Sequence, residues 1–278
     1  MTTTRRGGLN STALALIPLA IAINIAIGQL VSVLKLPLYL DSIGTVLTGA
    51  LLGPWVGLIT GALANIIWTL LGINPVAWWF APVAAVIGLI AGFAGRAGLF
   101  QRSSPRWLSA IIGGVFLFAL TLFIMLFINQ TTDADGNQIL PSAGELFAKQ
   151  PIIFIGALVA GLALGYFVLK NAGYAGLAGL VTGVVAAIVS APIAAYVFGG
   201  VTGGGTDALV AAFRASGANI LASAFAQGTV SDPFDKMTSY MIVYLIIQSL
   251  PQRLLQRFPN ARAAERNARR RTGIGPLA

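Results

Sequence analysis

The sequence predicts an all-α integral membrane protein: a polytopic bundle of about 6–8 transmembrane helices with a re-entrant or interfacial segment at its outer face. Three observations predict it. The residues are 57% hydrophobic and 9% charged, with a mean hydropathy of +0.85, whereas soluble domains carry about 25% charged residues. Apolar runs near the roughly 20 residues that cross a bilayer recur along the chain. Basic residues gather in the gaps between particular runs, as they do on the cytoplasmic side of membrane proteins.

Taken in order, the candidate helices are 11–34, 41–52, 54–71, 76–95, 106–128, 151–169, 174–198 and 236–255. The first follows Arg5 and Arg6 and exceeds the apolar core of a signal peptide, so it reads as a retained helix. The second is too short to cross a bilayer comfortably alone and is expected to be tilted or partly buried. Arg5, Arg6, the Arg96–Arg102–Arg106 loop, Lys170 and the C-terminal arginines predict a multi-pass plasma-membrane protein with both termini cytoplasmic. The loop 129–150, with Asp133, Asp135 and Glu145, then falls outside, as does 199–233. That second segment, glycine-rich at "GGVTGGGTD" and half apolar, is the expected re-entrant or interfacial piece. "DPFDK" at Asp232–Lys236 reads as a turn and helix start, with Pro233 at an early helical position. The domain plan is a tail at 1–10, one membrane domain at 11–258 and a basic tail at 259–278.

Small residues recur at spacings of four in Gly53–Gly57–Gly61, Ala84–Gly88–Gly92, Ala157–Gly161–Gly165 and Ala175–Gly179–Gly183–Ala187. Each row shares a helix face and predicts a packing seam, because lipid gives helices no hydrophobic reason to associate. The first helix has two small faces, Ala22/Ala26 and Ala20/Asn24/Gly28. Two faces suggest a helix clasped on both sides, by its own fold and by another membrane subunit.

Cysteine and histidine are absent, which removes thiolate and imidazole metal sites and histidine-based nucleophilic catalysis. No metal or cofactor is expected. The net charge of +9 includes a cluster from Arg253 to Arg271 after the last apolar segment, which fits membrane anchoring and leaves nucleic acid an unexpected partner. "GGVTGGGTD" lacks a following GK[ST] and a strand–helix context, so it is no phosphate loop. The chain is expected to be non-catalytic, with any ATP hydrolysis on other chains.

An ionisable group within a span costs about 2.5–3.5 kcal/mol on insertion scales, so each such residue is a functional candidate. The predicted topology gathers the candidates at the outer end: Tyr39, Asp41, Ser42, Asn65, Trp68, Asn74, Trp78, Trp79 and Asp207, with Lys35, Thr202 and Arg214 nearby. Asp41 also suits the N-cap of the helix that begins there. Trp78 and Trp79 also suit anchoring at the membrane interface. An acid beside tryptophans favours a cationic or aromatic ligand.

The stretches "LPLYLDSIGTVLTGALLGPWVGLITGALANII", "SAPIAAYVFGGVTGGGTD" and "SDPFDK" resemble the substrate-binding S component of an energy-coupling factor (ECF) transporter, over about residues 13–258. The resemblance implies an S-component-like fold that captures a vitamin or similar micronutrient outside the cell. It implies as partners a transmembrane T component, faced by Ala22 and Ala26, and two ATPase subunits. It also implies a pocket that includes the loop at 37–42. More spans are counted here than that family usually has. Related segments occur in sensor modules of some histidine kinases, so the alternative is a membrane sensor module that lacks its own output domain.

Overall fold

The structure, a computed structural model, describes residues 11–34, 36, 38–132, 138–215 and 217–264, with only the backbone at 12, 13 and 138. The expectations for Arg5, Arg6, Lys35, Pro37, Asp133, Asp135, Arg266 and Arg269–Arg271 lie outside the described residues. In chain order the helices are α1 (Ser11–Val33), α2 (Ile43–Leu52), α3 (Pro54–Leu70), α4 (Ala81–Arg96), α5 (Arg106–Ile128) and α6 (Ala143–Lys149). They continue with α7 (Pro151–Ala163), α8 (Gly173–Tyr196), α9 (Asp207–Ala215), α10 (Ile220–Ser249) and α11 (Gln252–Leu255). A 3₁₀ turn at Ala77–Phe80 leads into α4, and a π turn at Leu164–Val168 extends α7. A two-stranded antiparallel pair, Thr131–Thr132 with Gln138–Ile139, follows α5.

Among the described residues, five stretches are long and apolar enough to cross a membrane: Leu14–Val33, Ala77–Arg96, Arg106–Ile128, Pro151–Val168 and Gly173–Tyr196. With the shorter apolar helices α2 and α3, they make a polytopic helical membrane protein. Up-and-down connectivity brings Arg96, Arg106, Lys170 and Arg253 to one end of the bundle, hereafter the basic end.

The brevity of α2 has a physical cause. Helix α1 runs toward the opposite end, and the chain after it folds back inward. A Cβ placed on Gly28 would lie 2.9 Å from the Cβ of Asp41, so α2 begins inside the bundle and needs only ten residues to reach the basic end. All ten are buried. The N-terminus of α2 is satisfied by α1: the Gly44 N–H donates to Asn24 Oδ1 at 2.7 Å, and Asn24 Nδ2 donates to Thr45 Oγ1 at 2.8 Å. Asp41 is therefore not the cap expected of it; Ser42 holds the N-cap position and makes no side-chain capping bond.

At the basic end, Gly53 takes φ +112° and Pro54 starts α3. Asn260 Nδ2 lies 3.2 Å from the carbonyls of Gly49 and Ala50 and 3.1 Å from that of Gly92, donating toward the last turns of α2 and α4. Phe258, Asn260 and Ala261 are buried, so residues 259–264 belong to the membrane domain and not to a free tail.

Two further expectations change. Helix α10 starts at Ile220, where the Asn219 side chain accepts the Ala222 N–H at 2.8 Å. It runs through Pro233 for 30 residues, so "DPFDK" lies mid-helix and is no turn. The missing proline N–H deprives one carbonyl, a loss that surrounding protein tolerates in membrane helices. The interfacial segment shrinks to 199–219 and contains α9, which buries Leu209 and Val210. On α1, Ala20, Asn24 and Gly28 face inward, while Ala22 and Ala26 are exposed.

The small-residue rows are seams. A Cβ on Gly88 would stand 2.1 Å from the Gly57 carbonyl oxygen, while one on Gly156 meets nothing within 4 Å. Gly88→Val should destabilise the bundle by at least about 1–3 kcal/mol, and Gly156→Val should be neutral. Thermal unfolding in detergent checks the pair; equal melting temperatures would refute the seam.

Candidate functional site

Midway along α10, Asp232, Asp235 and Lys236 stand at i, i+3 and i+4 and so share one face. Helix α8 comes very close here, because a Cβ on Gly183 would lie 2.3 Å from Pro233 Cα. Asp235 is fully buried and Lys236 nearly so. Lysine is almost never found that deep unpaired, and Lys236 Nζ donates to Asp235 Oδ2, to Ser42 Oγ at 3.1 Å and toward Asp41 Oδ1 at 3.5 Å. The ammonium also lies 5.8 Å from the centre of the Tyr39 ring.

The second oxygen of Asp235 holds the inward-folded loop. Asp235 Oδ1 accepts the Tyr39 N–H at 3.1 Å and the Leu40 N–H at 2.7 Å. Leu40 has φ +48°, a left-handed conformation that costs a side-chain-bearing residue about 1–2 kcal/mol. Strain of this kind persists where surrounding contacts over-determine it. The Tyr39 hydroxyl lies 2.9 Å from Thr206 Oγ1 and accepts from Gln227 Nε2 at 3.4 Å. Asp232 accepts from Ser190 and Ser231 hydroxyls, each at 3.4 Å. Asp207 fastens the glycine-rich loop by accepting the Thr202 N–H and hydroxyl at 3.0 and 2.8 Å and the Gly203 N–H at 2.7 Å.

These groups surround a cavity of about 380 Å³ whose apolar wall includes Trp68, Phe80, Val83 and Ile87. Of the residues expected at a site, Tyr39, Asp41, Ser42, Asn65, Trp68, Asn74 and Asp207 all line it. Trp78 and Trp79 do not; they are 47% and 40% exposed and contact each other. The 3₁₀ turn explains this, since residues i and i+3 eclipse: Ala77 and Phe80 face the cavity, and the two tryptophans between them face out. Ala22 and Ala26 lie away from it. Sequence reasoning missed Gln227, Asp232 and Lys236 in the wall and Asp235 behind it. Their signal was the i, i+3, i+4 spacing of three charges in an otherwise uncharged run.

The ion cluster yields a prediction. Asp235→Ala leaves a buried ammonium and two loop N–H groups without their acceptor and should cost about 3–5 kcal/mol. Asp41→Asn, whose side chain is 26% exposed, removes a partner while Asp235 still holds Lys236, and should cost about 1 kcal/mol. Thermal unfolding ranks the two; equal losses would contradict a central role for Asp235.

Residues 8–139 match the family described as the 5TMR of 5TMR-LYT, a five-span membrane sensor module of signalling systems. The match covers just under half of the chain, including the inward-folded loop, α2, α3 and Trp68, but not α10. No curated protein and no solved structure matches the chain. The family match overturns the expectation of a substrate-capture S subunit in a vitamin importer, and favours the alternative, a membrane sensor module. The T component and two ATPases were implied by the transport reading alone.

Proposed function

We propose that the chain is the ligand-sensing membrane module of a signalling system, with the cavity as its sensing site. The observation that carries this reading is that the sensor-family match coincides with one wall of the cavity, from the inward-folded loop through Trp68 to the 3₁₀ turn. The basic end, with Arg96, Arg106, Lys170 and Arg253, belongs in the cytoplasm by the positive-inside rule. The cavity then lies toward the outer side, where an external ligand reaches it. The module binds and reports, and catalysis belongs to its signalling partner.

The geometry supplies a route for the report. Helix α2 begins at Ser42, which touches Lys236 at the cavity, and ends under Asn260. It is about 15 Å long and buried along its whole length. A ligand that shifts the Asp41–Lys236 contact bears on a rigid rod whose far end holds the start of the C-terminal segment.

Affinity purification of the tagged chain from native membranes should recover a kinase or cyclase subunit. Recovery of a transport ATPase in its place would overturn the reading. Asn260→Ala should keep ligand affinity within about two-fold while reducing the signalling response, because three carbonyls lose one shared donor. A response unchanged in that variant would remove α2 from the route.

A further inference from the structure

The cavity's charges do not balance. Among the described residues, three carboxylates line it, Asp41, Asp207 and Asp232, against one ammonium, Lys236. Lys236 is already engaged by Asp235, which stands behind the wall. Asp207 is occupied by loop N–H and hydroxyl donors. Asp232 is 4% exposed and, among the described residues, has only hydroxyl partners and no ion pair. A carboxylate held in such surroundings is poorly compensated, and a cation entering the cavity relieves it.

A second, independent observation concerns Trp68. This residue lines the cavity and is 4% exposed, yet its enclosed indole N–H has no hydrogen-bond partner among the described residues. The far edge of its six-membered ring is wedged against Gly28, which fixes the ring in place. An indole N–H only donates, so it calls for an acceptor atom. A bare metal ion offers the indole no acceptor atom, and no group of three or more acidic, histidine or cysteine side chains among the described residues is arranged to hold one. The cavity volume of about 380 Å³ falls in the range of small-molecule sites, about 300–1,000 Å³.

We infer that the cavity takes a small organic cation of the amino-alcohol class, its ammonium between Asp41 and Asp232 and its oxygen on the Trp68 indole N–H. The methylene body lies against Val83, Ile87 and Ala186. This assignment rests on the cavity being the sensing site. The hydroxyls of Ser190 and Ser231 hold Asp232 in place for the ammonium.

Three probes of one length test the inference by calorimetry on the full chain in lipid nanodiscs, with empty nanodiscs as the blank: aminopentanol, pentanediol and hydroxypentanoate. Aminopentanol should bind at least about ten-fold more tightly than either of the others, the worth of one charge-assisted hydrogen bond. Asp232→Asn should abolish that preference, and Asp41→Asn should reduce it, which keeps the test valid if one variant fails to fold. Trp68→Phe should weaken aminopentanol by about five-fold or more and leave pentylammonium unchanged. Equal binding of all three probes, a preference for hydroxypentanoate, or binding of none overturns the cation assignment and leaves the sensor reading standing. Aminopentanol preference in a chain that purifies with a transport ATPase keeps the cation assignment and sinks the sensor reading.

Discussion

The carboxylate of Asp235 is the constraint on which the rest of this bundle depends. A bilayer interior offers no water to peptide groups, so non-helical backbone at depth must find its partners in protein. The loop between α1 and α2 is such backbone, and two of its consecutive N–H groups end on one oxygen of Asp235. The other oxygen takes Lys236, which in turn reaches Ser42 and Asp41 on the same loop. One side chain thus fixes the loop, neutralises a buried ammonium and holds Leu40 in a strained conformation. Ionised groups in a dry interior are tolerable only when mutually satisfied, and this cluster is built to that rule.

The packing follows from that anchor. Because the loop is held inside, α2 is short, and because α2 is buried on every side, its neighbours must approach closely. Gly57 and Gly88 let α3 and α4 meet backbone to backbone, and Gly183 does the same for α8 against the charged turn of α10. Space not filled by these contacts remains as the cavity, walled on one side by aliphatic and aromatic groups and on the other by the loop and α10. Its polarity is inherited from the residues that hold the loop.

Much of this was legible in the sequence. The apolar segments gave the helices, with α5 falling at 106–128 in both readings, and the fourfold glycine spacing gave the seams. Polar residues in so apolar a chain stand out, which is why Tyr39, Asp41, Asn65, Trp68, Asn74 and Asp207 are recognisable as candidates, and all six line the cavity. The failures have definite causes. Pro233 is as typical of a helix start as of a membrane-helix interior, and it drew the boundary of α10 away from Asn219, whose capping side chain marks the true one. Trp78 and Trp79 turn outward because of a 3₁₀ period that no hydropathy pattern displays. The role of Asp41 depends on a lysine 195 positions away, and no local pattern reports such a partner. Asn24, the group that does serve the start of α2, lies on the preceding helix.

That sequence separation bears on how the protein is made. The loop holding Tyr39 and Leu40 is synthesised before its partner, and the carboxylate that receives both N–H groups follows 196 and 195 residues later. Contacts so distant along the chain are slow to form and close only after the intervening segments are in place. During vectorial synthesis, the helices that precede α10 are made with this loop not yet fastened to Asp235. The loop between α1 and α2 is therefore among the last parts of the bundle to set, and it is fastened only when α10 is in place.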